Sequence, residues 1–315
     1  MKNSLRMVAF AVALAVLLFG GYAVGRVAGP FDRTADDDGM GAAHDDAMDG
    51  DAGHDDGSDV SPGDDGTDGT DGAGDMPNMD TSGAEEPAGL SASQDGYTLR
   101  LQGFSRAAGS GRKLGFSIIG PDGKPVTAYD TVHEKKMHLI VVRRDLTGFQ
   151  HVHPVLDAKT GAWAARVDLE PGTWRVYADF QPTGADAFVL GTDLQVPGKY
   201  RPASLGGTSL VDHTDGYVVR LAGNLAADEA TTLTLRVTRN GKSVSDLQPY
   251  LGAYGHLVAI KADDLSYLHV HPEDGSAGPE IAFHVEVSDA GAYRFFLDFR
   301  HGGRVHTAQF TVRVE

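Results

Sequence analysis

The chain contains no cysteine, so it can form neither disulfide bonds nor thiolate zinc sites. The same absence excludes redox-active thiols, copper centres that need a cysteine ligand, and lipid attachment to an N-terminal cysteine. The chain also lacks an excess of positive charge, and because no basic patch or stripe stands out, nucleic acid is not expected as a partner. Beyond the N-terminus no stretch keeps a helical hydrophobic period, so a helical fold is not expected either.

The N-terminus carries one long apolar run. Lys2 and Arg6 precede an uncharged, mostly apolar stretch over residues 7–25, which Arg26 closes. A helix of this length, at about 1.5 Å per residue, spans the roughly 30 Å of a bilayer core. We predict that residues 1–30 form a single-pass membrane anchor, or else an export signal whose cleavage leaves the protein secreted. In both cases the rest of the chain is expected outside the cytoplasm.

Residues 31–90 form an acidic segment with almost no aromatic side chains. Between Asp36 and Glu86 there are 16 Asp and 2 Glu but no Lys or Arg, which accounts for the net charge of −17. Such a segment cannot bury enough apolar surface to fold, and its like charges repel, so we predict a disordered spacer. The spacer is either a simple solvating tail or a copper-binding segment, since thioether and imidazole donors are scattered through it: Met40, His44, Met48, His54, Met76 and Met79.

The remaining chain contains an internal repeat. Asp95–Leu101 matches Asp215–Leu221, and aromatic strands near the end of each copy match as well. We predict one domain over residues 91–198 and a second over 212–315. A connector rich in Gly, Ser and Pro, at about 197–214, is expected to be an interdomain linker.

Each repeat alternates apolar and polar residues, as in Tyr97, Leu99 and Leu101, with turn dipeptides such as Asn240-Gly241 between short runs. About seven short strands in roughly 100 residues are typical of an immunoglobulin-like sandwich. The predicted fold class is all-β: two tandem immunoglobulin-like antiparallel β-sandwiches that follow an N-terminal helix and a disordered acidic linker.

Both repeats keep three histidines in register, at an offset of 118 residues (256 − 138): His138, His151 and His153 in the first repeat, and His256, His269 and His271 in the second. Alternate residues of a strand share a face, so each His-x-His pair is expected to project together, in the first repeat from a strand over about 149–155. A proline follows both pairs.

The hairpin before the His-x-His pair decides where the first histidine lies. In the first repeat the connection Asp145–Gly148 is short. With Arg144 opposite Phe149, Ile140 pairs with His153, and the first histidine becomes a diagonal neighbour on the same face. A three- or five-residue loop would turn it to the other face. The second repeat gives the same geometry.

Three converging imidazoles predict a metal site, because imidazole is the commonest neutral metal ligand. All-imidazole sets suit Zn(II), Cu(II) and Ni(II), and export together with the spacer favours copper. The alternative is that the histidines are structural, hydrogen-bonded residues inherited on duplication. With one site per repeat and a linker between them, we expect two ions bound independently.

The chain resembles exported bacterial β-sandwich proteins of copper and heavy-metal handling. The resemblance covers Tyr97–Val196 and Tyr217–Val314 and rests on the segments Phe-Gln-His-Val-His-Pro and Tyr-Leu-His-Val-His-Pro, and on strands that end in Asp-Phe. It implies a protein at the bacterial cell membrane with immunoglobulin-like modules that bind metal. The methionine-rich Cu(I) sites of some copper carriers have no counterpart within these repeats.

The expected function is non-enzymatic metal binding by an exported, membrane-tethered protein, in copper or heavy-metal sequestration or tolerance. Two other classes stay open: a metal-free interaction or adhesion module, and a three-histidine zinc hydrolase or lyase with water as fourth ligand. An enzyme also needs a general base or a proton shuttle, and Asp157 and Glu273, just beyond the motifs, do not align with each other.

The remaining histidines lack an equivalent in the other repeat. A structural or surface role is expected for each, although two lie near the closing hairpin and are candidates to add to the second site. They are His133 in the first repeat, His213 in the connector, and His284, His301 and His306 in the second repeat, of which the last two are those candidates.

Overall fold

A computed structural model describes residues 88–315, except His269, Asp274 and the side chain of His271. The predicted anchor, residues 1–30, and the spacer up to residue 87 lie outside the described residues. Within the described part every regular element is a β-strand, and every strand pair in a sheet is antiparallel, which confirms the predicted all-β fold. No helix long and apolar enough to cross a membrane occurs in that part.

The first repeat is a sandwich of two sheets. Its strands are β1 Ser93–Gln94, β2 Tyr97–Leu101, β3 Gly109–Ile119, β4 His138–Arg143, β5 Gln150–Val152, β6 Val155–Asp157, β7 Ala162–Leu169, β8 Gly172–Phe180 and β9 Phe188–Val196. One sheet has the order β1-β2-β3-β7-β6, and the other has the order β5-β4-β8-β9. The sandwich core between them includes Phe116, Trp163 and Trp174.

The second repeat has the same plan. Its strands are β10 Val211–Thr214, β11 Tyr217–Ala222, β12 Glu229–Arg239, β13 Lys242–Ser243, β14 Gly255–Lys261, β15 Tyr267–Leu268, β16 His271–Pro272, β17 Glu280–Val287, β18 Gly291–His301 and β19 Arg304–Val314. One sheet has the order β10-β11-β12-β17-β16, with β13 paired to β12, and the other has the order β15-β14-β18-β19. Phe283, Phe295 and Phe310 lie in the core between them.

The two repeats pack against each other through the outer faces of their four-stranded sheets. In β4 the residues Leu139 and Val141 face the sandwich core, whereas Ile140 and Val142 face the other repeat. Both faces of this strand are therefore buried, which explains why its sequence is continuously apolar instead of alternating. The expectation that a linker keeps the repeats apart is wrong, because this second apolar face needs a cover.

We call the apolar cluster between the repeats the junction core. It consists of Ile140, Val142, Leu146, Tyr177, Val189, Val258, Ile260, Leu265, Tyr267 and Phe296. Its contacts are reciprocal: Phe149 of the first repeat stacks on Phe296 of the second with ring centroids 4.0 Å apart, and Tyr267 of the second lies 5.5 Å from Tyr177 of the first. Equivalent positions thus cover each other across the junction.

The hairpin between β4 and β5 has a register different from the predicted one. Ile140 pairs with His151, so the predicted pairing of Ile140 with His153 is wrong by two residues. The Arg143 amide donates to the Thr147 carbonyl, and Leu146 adopts a φ of 60° with its side chain buried in the junction core. Burial of this side chain sets the turn. Because the shift is even, the first histidine keeps its predicted face.

The predicted continuous strand over residues 149–155 is interrupted. β5 ends at Val152 in one sheet, and β6 begins at Val155 in the opposite sheet. Pro154 lies at this crossing, where its missing amide hydrogen breaks no pairing. His151 therefore projects from a strand, whereas His153 lies on the crossing segment.

The chain enters the first repeat through a segment held at the junction. Residues 88–90, at the end of the predicted spacer, pack here: the Tyr267 amide donates to the Ala88 carbonyl, and the Gly89 amide donates to the Val189 carbonyl. The buried Arg175 guanidinium donates to the carbonyls of Gly89 and Leu90. The segment thus contacts both repeats.

Gly191 on β9 leaves room for this segment, because a Cβ at this position would collide with the Gly89 carbonyl oxygen. We expect Gly191→Ala to lower the free energy of unfolding by about 1–3 kcal/mol, since backbone must move to accept the methyl group. Denaturant unfolding measures this, with Gly207→Ala as control, where no atom lies within 4 Å of the added Cβ. Equal losses in both variants would contradict the close packing.

Candidate metal centre

His138 is the first residue of β4 and is only 3% exposed. It lies two residues before Ile140, so its side chain faces the other repeat. Its Nε2 lies 3.1 Å from the Val132 carbonyl oxygen, which can only accept, so Nε2 carries the hydrogen. In the neutral ring Nδ1 then keeps its lone pair, and this atom lies 3.0 Å from His151 Nε2.

The other ring nitrogen of His151 is held by the second repeat. His151 Nδ1 lies 2.9 Å from Asp298 Oδ2, and the remaining oxygen of this buried carboxylate accepts from the Thr307 hydroxyl at 2.6 Å. Asp298 reaches the junction because it lies two residues after Phe296 on β18. The carboxylate fixes the hydrogen on Nδ1, so the Nε2 lone pair of His151 faces the lone pair of His138. A shared proton or a metal ion relieves that opposition.

His153 completes a group of three. Its ring centroid lies 5.1 Å from that of His138 and 4.8 Å from that of His151, and one ligand atom from each ring lies within 4.8 Å of the others. Its Nε2 is buried without a hydrogen-bond partner among the described residues. Burial, followed by the nearby His151, His138 and Lys135, lowers the pKa of His153 to about 3. The ring is therefore neutral at pH 7, as metal binding requires.

His256, the equivalent of His138 in the second repeat, lies against the same group. Its ring stacks on His138 with centroids 5.3 Å apart and planes 5° apart, and lies 4.7 Å from the ring of His151. It is 7% exposed, and its Nε2 has no partner among the described residues. Burial and the neighbouring histidines hold its pKa well below the ordinary value. Among the described residues, His256 thus lies beside the histidines of the first repeat.

The other two predicted ligands of the second repeat are not placed. His269 lies outside the described residues. The backbone of His271 belongs to β16 and pairs with His284 on β17, but its side chain is not described.

Two residues of the site were missed from the sequence. His133 has a φ of 48°, and its ring centroid lies 6.1 Å from His138 and 5.7 Å from His256. Its equivalent is Leu251, which adopts the same backbone conformation with a φ of 59°, so comparing the repeats concealed it. Asp298 is the Asp of the Asp-Phe pair that ends a matching strand in both repeats, and this match was the feature of the sequence that could have identified it. We call His133, His138, His151, His153 and His256 the histidine cluster.

The histidines near the closing hairpin take part in a separate network. His301 contacts the Tyr217 hydroxyl at 2.7 Å and Asp246 at 3.1 Å, and His306 lies 2.7 Å from Asp215. Protein groups thus engage both of these rings, and no ring contact joins them to His256 in the described part. The structural role expected for them fits this network. The remaining two, His213 and His284, are exposed.

Acidification should destabilise the metal-free chain through His153. The unfolded residue takes up a proton below about pH 6.5, whereas the folded residue, with its pKa lowered to about 3, does not, so unfolding becomes more favourable across this window as pH falls. His256 acts with the same sign. Denaturant unfolding at pH 7, 5.5 and 4.5 checks this, and His153→Gln should flatten the dependence. Parallel pH profiles for both proteins would contradict it.

Comparisons with solved structures give only distant similarities. A mutant of Salmonella alpha-2-macroglobulin is 14% identical, with 73% of this chain and 15% of that chain covered and a TM-score of 0.25. The Escherichia coli adhesin FdeC is 14% identical over 71% and 65%, with a TM-score of 0.22. A two-domain fibronectin type III segment of chicken tenascin is 8% identical over 68% and 97%, with a TM-score of 0.20. This chain covers less than two thirds of the length of the first two of these proteins.

These TM-scores are low, so the description of the fold rests on the strand pairing within this chain. No curated protein matches its sequence. One family model matches twice, over residues 92–197 and 212–315, and its description is "Domain of unknown function (DUF8832)". The chain therefore belongs to the DUF8832 family and carries two copies of that domain.

Proposed function

We propose that this protein binds a metal ion in the histidine cluster at the junction of its repeats, and that the preferred ion is copper. The observation that carries the proposal is the facing pair of ring nitrogens, His138 Nδ1 and His151 Nε2, 3.0 Å apart with His153 beside them. Two nitrogen donors that each lie about 2 Å from one ion are separated by about 2.8 to 3.4 Å. The observed distance matches that separation.

The partners behind these rings support the proposal. A metal-bound histidine usually donates its other ring N–H to a carboxylate or a backbone carbonyl, which fixes the tautomer and the orientation of the ring. His151 has such a partner in Asp298, and His138 has one in the Val132 carbonyl. Both rings therefore have the kind of outer partner that metal-bound histidines use.

The donor set favours Cu(II), with Zn(II) as the second choice. All the donors are imidazole nitrogens, which suit both ions, and Cu(II) has the highest affinity among the divalent first-row ions for a given site. The predicted export and the His- and Met-containing spacer favour copper for the reasons given from the sequence.

In this proposal, an ion approaches the cluster through a neighbouring cavity. His133 lies in the wall of a cavity of about 560 Å³ that Tyr254, Glu273 and Glu280 also line. The two carboxylates attract cations, and the His133 ring lies 5.7 Å from the ring of His256. His133 thus connects the cavity to the buried rings.

The biological role that we propose is sequestration of copper or another heavy metal, or tolerance to it, without catalysis. In this proposal the N-terminal segment, residues 1–30, tethers the protein to the membrane with both repeats outside the cytoplasm. The acidic spacer raises the local concentration of cations.

Metal titration of the full chain tests the proposal. In a background with His44→Ala and His54→Ala, which removes the spacer imidazoles, we expect one tightly bound Cu(II) per chain, seen as nitrogen-ligated copper by electron paramagnetic resonance. A chain that binds no Cu(II) or Zn(II) in this background would refute the proposal and favour a metal-free interaction module.

The carboxylate behind His151 gives a sharper prediction. Asp298→Asn should lower the affinity for Cu(II) by about 10- to 100-fold, because loss of an outer partner weakens ligand orientation and basicity. Asp215→Asn is the matched control, since Asp215 accepts from His306 Nδ1 at 2.7 Å outside the cluster. Competition titration against a chelator measures both affinities. Equal affinity in the two variants would contradict a role for Asp298 in binding.

A further inference from the structure

We call residues 88–90, through which the chain enters the first repeat, the entry segment. We infer that this segment is a latch that locks the two repeats together, and that its release opens the junction. The inference goes beyond the proposed function, because it concerns the contact between the repeats in the chain without metal. Only its consequence for the histidine cluster rests on the proposed function.

The entry segment joins edge strands of both repeats. β9 is an edge of the four-stranded sheet in the first repeat, and β15 is an edge of the four-stranded sheet in the second. The Gly89 amide donates to the Val189 carbonyl on β9, and the Tyr267 amide on β15 donates to the Ala88 carbonyl, both at 2.8 Å. Two neighbouring residues therefore hold the backbones of both sheets, whose edges would otherwise present unpaired groups here.

Gly89 lies between one tyrosine of each repeat. Its φ is 75°, a conformation that glycine adopts far more readily than other residues. A Cβ at this position would lie 2.7 Å from the Tyr177 ring and 3.1 Å from the Cβ of Tyr267. The Tyr177 hydroxyl in turn donates to the Leu265 carbonyl of the second repeat at 2.6 Å. The space that Gly89 fills is thus built by both repeats.

Arg175 on β8 makes release of the entry segment unfavourable. Its side chain is buried, and Nη2 donates to the carbonyls of Gly89 and Leu90, both at 2.6 Å. Nε of the same guanidinium has no hydrogen-bond partner among the described residues. Release of the segment would also remove the acceptors of Nη2, and a buried charge that loses its partners is strongly destabilising. The segment is therefore held by more than its own backbone pairing.

The equivalent residue of the second repeat lacks this arrangement. Asp95 matches Asp215 at an offset of 120 residues (215 − 95), so Gly89 corresponds to Ser209 (209 − 89 = 120). Ser209 is exposed, and its backbone pairs in both directions with Thr311 of its own repeat. The latch is therefore a feature of the first repeat, the one that directly follows the predicted spacer in the sequence.

The latch links the chain before residue 88 to the histidine cluster. Tyr267 packs in the junction core together with Phe296. Phe296 lies two residues before Asp298, whose carboxylate holds His151. Release of the entry segment loosens Tyr267, and with it the packing that brings Asp298 to His151. With the proposed function, tension on the spacer therefore lowers the affinity for the ion.

The first test is hydrogen exchange in the full chain without metal. Gly89→Ala places a methyl group against both tyrosines, so the Tyr267 amide should exchange faster by about 10-fold or more, because overpacking destabilises a close contact. The Gln102 amide, which donates to the Gly115 carbonyl in the first sandwich, should exchange at an unchanged rate. Gly123→Ala is the matched control and should change neither rate, since its φ is 76° and no atom lies within 4 Å of the added Cβ.

The second test measures the separation of the repeats. The chain has no cysteine, so nitroxide labels attach only to Lys159→Cys in the first repeat and Lys242→Cys in the second, both at exposed positions. Pulsed electron paramagnetic resonance should give one narrow distance distribution in this labelled chain and after Gly123→Ala. Gly89→Ala should broaden it. An unchanged distribution in Gly89→Ala would overturn the latch.

Arg175→Gln decides the inference even if Gly89→Ala does not fold. This change removes the guanidinium that holds the carbonyls of Gly89 and Leu90. The Tyr267 amide should again exchange faster, and the distance distribution should again broaden. If both stay as in the unaltered chain, the entry segment does not lock the junction.

Cu(II) titration in the background with His44→Ala and His54→Ala separates the two proposals. A lower affinity in Gly89→Ala than in Gly123→Ala supports the link between the latch and the histidine cluster, whereas equal affinities overturn that link. Absence of copper binding in the background chain itself would refute the proposed function. The two measurements without metal decide the latch in either case.

Discussion

Replacing His138 and His151 together by alanine should lower the affinity for Cu(II) by more than about 100-fold. The change removes both nitrogens that face each other at 3.0 Å, and loss of an outer partner alone lowers affinity about 10- to 100-fold. Of the group of three converging histidines, His153 alone then remains.

The matched control for this variant is a second pair of histidine replacements. His213→Ala and His284→Ala remove two exposed imidazoles outside the cluster, so the affinity should stay unchanged. Calorimetric titration against a competing chelator measures both chains, and circular dichroism checks that both fold. Similar affinity in the two double variants would show that copper binds elsewhere.

Phe296→Ala should lower the free energy of unfolding by about 3–5 kcal/mol, because Phe296 is 1% exposed and loses both burial and its stack on Phe149. It should also weaken Cu(II) binding. Phe296 lies two residues before Asp298, and its packing fixes β18 against the first repeat, so a cavity here loosens the carboxylate behind His151.

Phe283→Ala separates these two effects. Phe283 is fully buried in the core of the second sandwich, away from the junction core. Its loss should lower the free energy of unfolding by a similar amount. The affinity for Cu(II), measured under conditions in which both variants are folded, should stay nearly unchanged. Denaturant unfolding and metal titration measure the two quantities. Equal copper affinity in both variants would contradict the view that the junction holds the site together.

Local patterns were enough to predict the strands and the face of the first histidines. The hairpin around the connection Asp145–Gly148 was predicted and is present, because β-branched and apolar runs between turn residues mark strands directly. The prediction that His138 shares a face with the His-x-His pair was also correct. The register differs from the predicted one by two residues, and an even difference leaves every side chain on its predicted face.

The packing between the repeats could not be predicted from local patterns. A continuous apolar run such as Leu139–Val142 shows that both faces are buried but does not name the partner that covers the second face. That partner is the equivalent strand of the other repeat, and it brings His256 and Asp298 to the first His-x-His pair. The turn register likewise depends on burial of Leu146 in the junction core, a contact far away in sequence.

The most direct test of the central claim is the position of copper in crystals of the Cu(II)-loaded chain, located by anomalous scattering. The account predicts one strong anomalous peak at the junction, about 2 Å from His138 Nδ1, His151 Nε2 and His153. A map with no peak at the histidine cluster, or with copper bound only elsewhere in the chain, would contradict it.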